Sequence, residues 1–253
     1  IAAKDLIYLG VSGDGDSASI GLGQFAHAVR RGVNMTYIVE NNGVYGLTKG
    51  QFSATSDKGS KAKKGAENKD SPIDLVMLAL QLGATYVGRS FSGDKTQLVP
   101  LIKGALGHKG TAVLDVISPC VAFNNHVGST KSFDYVREHN DAVNRLDVIT
   151  PRAPIHADYA PGELKEVRQH DGSILRLRKL EDDYDSTDRH AAMAYLSRKA
   201  SEGEIVTGLL FVDPDASDLH DGLNTVATPL NKLKDADLIP SLSALEKINA
   251  SLR

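Results

Sequence analysis

The chain has 253 residues, of which 41% are hydrophobic and 24% charged, with a formal net charge of -3 and one cysteine. This length is enough for one sizeable core, so we expect one α/β domain with appendages. The small acidic excess disfavours a nucleic-acid partner, because phosphate binding normally needs a basic face. No apolar run reaches the roughly 18 residues of a membrane span, and one cysteine suits a reducing compartment, so a cytoplasmic protein is expected.

The apolar pattern alternates between strand and helix over the first half of the chain. Strands are predicted at residues 6–12, 34–40, 85–91 and 111–118, and helices at 17–31, 71–84 and 96–107. Ser71 and Pro72 have the residue types that begin a helix, and a Gly-, Ser- and Lys-rich loop precedes them at 41–70. This order predicts a mostly parallel sheet with helices on both faces, whose ligands bind at the carboxyl ends of the strands.

The regular alternation fades after Pro119. A possible edge strand at 172–180, a helix at 188–199, a strand at 208–213 and a helix at 241–252 follow. We therefore divide the chain into an α/β domain at 1–148 and an irregular C-terminal extension at 149–253. Because the chain begins at Ile1, only a few residues before its first apolar run, we expect a further N-terminal segment ahead of it.

The turn Gly13-Asp14-Gly15-Asp16-Ser17-Ala18 has more than one interpretation. It fits the dinucleotide fingerprint G-x-G-x-x-A, with Glu40 available to a ribose hydroxyl. Asp14 would repel a pyrophosphate, however, unless a cation lies between them. The second strand ends in Asn41-Asn42, so an amide and a carboxylate meet at adjacent strand ends, as a Mg²⁺ site requires. This is the pattern of a thiamine-diphosphate motif, and two ordinary turns are the remaining alternative.

Longer stretches support the thiamine-diphosphate interpretation. They are NNGVYGLTKGQFSATS, SPCVAFN, GSTKSFDYVREHN, HDGS and DYDSTDR. With these, the chain resembles the beta subunit of two-subunit 2-oxoacid:ferredoxin oxidoreductases, most closely those acting on 2-oxoglutarate. One departure is Ala54, where that family usually has proline.

The resemblance implies roles for individual residues. Asp14, Asn42 and the Val44 carbonyl would hold Mg²⁺. The residues expected around the thiamine diphosphate are Gly13, Asp14, Gly15, Asp16, Asn42, Val44, Gly46, Leu47 and Thr48. Asp16 and Thr48 could equally be ordinary turn caps.

Two further residues gain a meaning from the resemblance. Cys120 would be the fourth ligand of a [4Fe-4S] cluster whose other three cysteines lie upstream; otherwise the cluster is absent and Cys120 is an inert buried thiol. Lys49 would bind the distal carboxylate of 2-oxoglutarate, and a solvated loop lysine is the alternative.

The implied function is coenzyme A-dependent oxidative decarboxylation of a 2-oxoacid, with electrons passed through the cluster to ferredoxin. An alpha subunit would carry the glutamate that activates thiamine diphosphate, so this chain alone would be inactive. The alternatives are another thiamine-diphosphate decarboxylase or synthase, and a Rossmann-type dinucleotide-binding regulatory module.

Overall fold

The computed structural model describes residues 6–46, 50–60, 67–118, 155–169, 174–226 and 228–252. The strands are β1 (Leu9–Gly13), β2 (Met35–Asn41), β3 (Val44–Tyr45), β4 (Gln51–Phe52), β5 (Tyr86–Phe91), β6 (Thr111–Ile117), β7 (Leu164–Arg168), β8 (Ile174–Lys179) and β9 (Ile205–Val212). The helices are a π-helix (Gly15–Ile20), α1 (Leu22–Arg30), α2 (Leu75–Leu82), α3 (Lys95–Gly107), α4 (Arg189–Ser201), α5 (Leu219–Gly222), a 3-10 turn (Leu230–Lys232), α6 (Asp235–Leu238) and α7 (Leu242–Ser251). Within these ranges, no helix combines the length and apolar character needed to cross a membrane.

Seven strands form one sheet in the order β1-β2-β6-β5-β9-β8-β7. The first four, β1, β2, β6 and β5, are mutually parallel. Beyond them β9 runs antiparallel to β5, β8 runs parallel to β9, and β7 runs antiparallel to β8. The predicted α/β fold is confirmed, and the carboxyl ends of β1 and β2 lie side by side.

Helices cover both faces of the sheet, which explains why β5 and β6 are buried along almost their whole length. On one face α1, α2 and α4 pack together around Val29, Leu80 and Leu196. On the other face α3 packs its Leu101 and Ala105 against β2, β5 and β6. The apolar runs of the central strands therefore reflect burial on two sides.

The prediction that Ser71 and Pro72 begin the second helix is wrong. Helix α2 begins at Leu75, and the Asp74 carboxylate accepts hydrogen bonds from the N–H groups of Val76 (2.9 Å) and Met77 (3.1 Å). The same carboxylate is held by the Arg89 guanidinium at 2.6 Å. The N-cap is therefore Asp74, a residue type that favours this position, and Arg89 of a distant strand also binds its carboxylate.

Part of the predicted C-terminal extension joins the sheet. Residues 164–212 supply β7, β8, α4 and β9, and short helices and turns follow from residue 213. The strand predicted at 172–180 exists as β8, but it lies between β7 and β9 and is not an edge strand. Pairing with β7, which the apolar pattern did not predict, moves β8 into the interior of the sheet.

We expect the strands of the extension to unfold together with the first half of the chain. Leu210 of β9 is fully buried in the core that it shares with α2 and α4. Leu210→Ala should lower the free energy of unfolding by about 2 to 5 kcal/mol, through lost burial and a residual cavity. Urea denaturation followed by far-UV circular dichroism should show one transition, shifted to lower urea. Ile174→Ala on the exposed side of β8 is the control and should cost less than about 1 kcal/mol. Two separate transitions for Leu210→Ala would contradict this prediction.

Candidate cofactor and metal site

The site lies where β1 and β2 end, and Asp14 is at its centre. Asp14 follows the last residue of β1 and is only 1% exposed. Its Oδ1 accepts a hydrogen bond from the Asn42 backbone N–H, with an N···O distance of 3.3 Å. Its Oδ2 accepts hydrogen bonds from the hydroxyls of Ser53 and Thr55. A buried carboxylate needs such donors, since an unpaired charge away from water is costly.

The three predicted metal ligands are neighbours in the structure. Asn42 contacts Asp14 through its backbone, and Asn42 Oδ1 accepts a hydrogen bond from the Val44 N–H at 3.1 Å. Gly43 between them has a φ of +71°, which glycine adopts without strain. Among the described residues, no three His, Cys, Asp or Glu side chains cluster in a way that could hold a metal ion. A metal at this turn would therefore rely on one carboxylate, one amide oxygen and one backbone carbonyl, which are the hard oxygen ligands that Mg²⁺ prefers.

The glycines of the site differ in the space around them. A Cβ added at Gly15 would lie 2.5 Å from Tyr45 Cε1, and the Tyr45 hydroxyl donates to the Gly15 carbonyl at 3.0 Å. A Cβ added at Gly13 or at Gly46 would meet no protein atom within 4 Å. Gly15 is therefore required by the packing of a tyrosine that the sequence analysis did not single out, whereas Gly13 and Gly46 adjoin open space into which a ligand could fit.

The helix predicted at 17–31 is interrupted after its first turns. Residues Gly15–Ile20 form a π-helix, which closes through a hydrogen bond of 2.6 Å from the Gly21 N–H to the Asp16 carbonyl. A Cβ at Gly21 would lie 2.7 Å from that same oxygen, so glycine permits the wider turn. Such π turns occur frequently at functional sites. The apolar period of α1 begins only afterwards, at Leu22.

Residues 53–56, the loop after β4, lie against Asp14. Besides Ser53 and Thr55, this loop is fixed by the Ala54 N–H, which donates to Ser19 Oγ at 3.0 Å, and by the Ala54 carbonyl, which accepts from the Ile73 N–H at 2.7 Å. Proline at position 54 could not donate the first of these bonds. Ser53 and Thr55 are contacts of Asp14 that the sequence analysis missed, and their alternation in QFSATS is the signal that could have revealed them.

A row of buried polar groups extends from the site into the sheet. Asn41 Nδ2 donates to Asp115 Oδ1 at 3.0 Å, and Asp115 Oδ2 accepts from Arg89 Nε at 2.8 Å. Burial raises the pKa of Asp115 despite the nearby guanidinium. Burial also acts to raise the pKa of Asp74, but Arg89 and the helix N–H groups outweigh it and lower that pKa. The pKa of Arg89 is raised, because its two carboxylate partners outweigh the effect of burial, so Arg89 stays charged.

The structure thus brings together most of the predicted site. The residues placed there are Gly13, Asp14, Gly15, Asp16, Asn42, Val44 and Gly46. The other predicted residues, Leu47, Thr48, Lys49 and Cys120, lie outside the described residues. Binding of a cofactor or metal by either set stays a prediction.

The first part of the chain is similar in sequence to a family of cofactor-binding domains. Residues 1–116 match the model described as the C-terminal TPP binding domain of thiamine pyrophosphate enzymes. The 2-oxoacid:ferredoxin oxidoreductase subunit beta of Saccharolobus solfataricus is 47% identical over 114 residues, which are 45% of this chain and 37% of that protein. The 2-oxoglutarate oxidoreductase subunit KorB of Mycobacterium tuberculosis is 40% identical over 139 residues, which are 54% of this chain and 36% of that protein.

A solved structure resembles this chain over a wider range. It is the 2-oxoglutarate:ferredoxin oxidoreductase from Magnetococcus marinus with 2-oxoglutarate, coenzyme A and succinyl-CoA bound. The TM-score is 0.58 at 29% sequence identity, and the match covers 90% of this chain and 66% of that chain. The matched segments amount to less than half of the length of the curated relatives.

We predict that Gly15→Ala destabilises the protein by about 1 to 3 kcal/mol, because the new methyl group would displace the Tyr45 ring and its hydrogen bond. Gly23→Ala is the control: Gly23 is exposed in α1 with no atom near an added Cβ, so alanine should stabilise by about 0.5 to 1 kcal/mol. The measurement is urea denaturation of each variant. The double variant Gly15→Ala/Tyr45→Ala should lose less stability than the sum of the two single changes. Wild-type stability for Gly15→Ala would contradict the assignment.

Proposed function

We propose that this chain is the thiamine-diphosphate-binding beta subunit of a 2-oxoacid:ferredoxin oxidoreductase with 2-oxoglutarate as the substrate, on the basis of its similarity to such subunits over part of its length. The reaction would convert 2-oxoglutarate and coenzyme A to succinyl-CoA and CO₂, and pass two electrons through a [4Fe-4S] cluster to ferredoxin. Bound thiamine diphosphate would supply the nucleophilic carbon and the electron sink that decarboxylation needs. The observation that carries the proposal is the buried Asp14 carboxylate beside Asn42 and Val44 at the strand ends.

The hydrogen bonds of Asp14 favour metal binding through one of its two oxygens. Oδ2 accepts from two hydroxyls, whereas from the described part of the chain Oδ1 accepts only the long bond of 3.3 Å from the Asn42 N–H. Oδ1 therefore has a lone pair to offer to Mg²⁺. Asn42 and the Val44 carbonyl would supply two more oxygens. The open space beside Gly13 and Gly46 would receive the diphosphate, whose oxygens complete the coordination of the metal.

The dinucleotide interpretation of Gly13 to Ala18 fits these contacts less well. It would place a pyrophosphate against the Asp14 carboxylate without a cation between the two anions. The hydroxyls of Ser53 and Thr55 hold that carboxylate at the turn where the pyrophosphate would lie. Extraction of thiamine rather than a nicotinamide nucleotide from the purified protein discriminates between the two interpretations.

The exposed apolar residues of the C-terminal region support a partner subunit. Helix α7 carries Leu242, Leu245 and Ile248, and Leu252 follows it as the C-cap; each of the four is at least 51% exposed. Contiguous apolar surface of this kind is typical of an interaction site. We assign it to the alpha subunit, which would also contribute the activating glutamate. Ferredoxin and coenzyme A as partners, and a cytoplasmic location, belong to the same proposal.

The roles of Cys120 and Lys49 are also part of the proposal. Cys120 would be a cluster ligand together with three cysteines from an upstream segment. Lys49 lies within the same Asn41-to-Ser56 stretch as the metal turn, which supports a position close to the substrate. Both residues are proposed from the resemblance of the sequence and lie outside the described residues.

We predict that Asp14→Ala weakens the binding of thiamine diphosphate in the presence of Mg²⁺ by at least about 100-fold, because the only carboxylate of the proposed metal site is removed. Gly13→Ala should also weaken binding, since its methyl group would enter the open space without touching protein. Isothermal titration calorimetry measures both affinities, and circular dichroism checks that each variant is folded. Gly23→Ala is the matched control and should bind as wild type does. Wild-type affinity for Asp14→Ala would disprove the metal assignment.

Substrate choice is tested at Lys49. If its ammonium group pairs with the distal carboxylate of 2-oxoglutarate, Lys49→Ala should lower kcat/KM for 2-oxoglutarate by at least about 30-fold, which corresponds to about 2 kcal/mol. Turnover of pyruvate, which has no distal carboxylate, should change by no more than a few-fold. Both rates are measured in the reconstituted two-subunit enzyme with a low-potential dye as acceptor. Lys58→Ala, an exposed lysine of the same loop, is the control. An equal loss on both substrates would remove Lys49 from the substrate site.

A further inference from the structure

Asn41 precedes the proposed metal ligand Asn42, and the proposed function gives it no role. Its side chain connects two other groups. Asn41 Nδ2 donates to Asp115 Oδ1 at 3.0 Å, and Asn41 Oδ1 lies 3.0 Å from the Thr55 hydroxyl. The same hydroxyl is also within hydrogen-bonding distance of Asp14 Oδ2, so its one proton is shared between the Asn41 amide oxygen and the Asp14 carboxylate. Asn41 is therefore one step from the carboxylate at the centre of the site.

The other end of this row is anchored deep in the sheet. Asp115 of β6 and Arg89 of β5 are neighbours in the strand register, and both are nearly inaccessible to solvent. Arg89 binds Asp115 through Nε at 2.8 Å and Asp74 through Nη2 at 2.6 Å. Asp74 is in turn fixed as the N-cap of α2. The guanidinium is thereby held at two points, and Asp115 has little freedom to move.

The stability of the fold does not by itself explain why Arg89 and Asp115 are buried. Asp115 is the one charged residue of β6, in a strand that is otherwise almost entirely apolar. Replacing a buried ion pair by well-packed apolar residues is often neutral or stabilising, so stability by itself gives little reason for Arg89 and Asp115. Their contact with Asn41, at the edge of the site, suggests a different role.

We propose that Asn41, together with the ion pair of Asp115 and Arg89, positions the Asp14 carboxylate for metal binding. Asp115, held by Arg89, fixes the Asn41 amide, and the amide fixes the rotamer of Thr55. The Thr55 hydroxyl then holds Asp14 Oδ2, so that Oδ1 faces the metal. These are positioning residues and do not touch the metal themselves. The inference rests on the proposed function, in which Asp14 is a ligand of Mg²⁺.

The test measures metal affinity in the full-length protein assembled with its partner subunit. Mn²⁺ replaces Mg²⁺ as the probe, and the electron paramagnetic resonance signal of free Mn²⁺ is followed in the presence of thiamine diphosphate. Asn41→Ala and Thr55→Val should each raise the Kd for Mn²⁺ by about 10- to 100-fold, the usual effect of losing an outer-shell contact. Thr55→Ser retains the hydroxyl and should restore the affinity to within about threefold of wild type.

The double variant Asn41→Ala/Thr55→Val distinguishes positioning from independent effects. If Asn41 acts through Thr55, the double variant should bind Mn²⁺ no more than about threefold more weakly than the weaker-binding single variant. If the two residues act independently, their effects multiply and the inference is overturned. Near-wild-type affinity of Asn41→Ala, or failure of Thr55→Ser to restore binding, would also overturn it.

Two further measurements keep the result unambiguous. Urea denaturation without ligand shows whether each variant is folded. If Asn41→Ala is not, Asp115→Asn takes its place, because it retains the shape of the side chain and removes the charge that holds Arg89. The Kd of Asp115→Asn for Mn²⁺ is expected to rise by about 10- to 100-fold, as for the other variants. An unchanged Kd would overturn the inference. If the wild-type protein binds neither Mn²⁺ nor thiamine diphosphate, the proposed function falls as well; if it binds both and the variants do too, only this inference fails.

Discussion

The buried carboxylate of Asp14 is the constraint on which the rest of the site depends. A charge removed from water must be compensated by donors or by a cation, and the local structure supplies three donors from two segments of the chain. The Asn42 backbone contributes one of them, and the hydroxyls of Ser53 and Thr55 contribute the others. Because these donors come from the end of β2 and from the loop after β4, the carboxylate also determines how that loop lies against the sheet.

The second half of the chain stabilises the site indirectly. Strand β9 pairs with β5, and its Gly208 lies opposite Arg89 in the strand register. Gly208 has a φ of +134° and adjoins Leu180, so this part of β9 has no room for a side chain. The strand that carries Arg89 is thus held by β6 on one side and by β9 on the other. A region without proposed cofactor ligands therefore helps to keep the ion pair of Arg89 and Asp115 in place.

The comparisons differ in how much of the chain they cover. The family match ends at residue 116, whereas the solved structure corresponds to 90% of the chain. A cofactor site demands particular side chains at particular points, as the proposed roles of Asp14 and Gly13 illustrate. A sheet such as that of β7, β8 and β9 demands only apolar residues at alternate positions, which many sequences satisfy. The fold of this chain therefore matches a known structure over a longer part of the chain than its sequence matches the family.

The sequence by itself determined the order of strands and helices in the first half, because periods of two and 3.6 residues are set by local geometry. It also determined that Asp14 and Asn42 meet, since parallel strands joined by a helix end at the same edge of a sheet. Only the tertiary structure decided that β8 lies inside the sheet, and that Thr55, Asn41 and Asp115 connect Asp14 to Arg89. Each of these features depends on contacts between segments far apart in the chain, about which local periodicity and capping patterns carry no information.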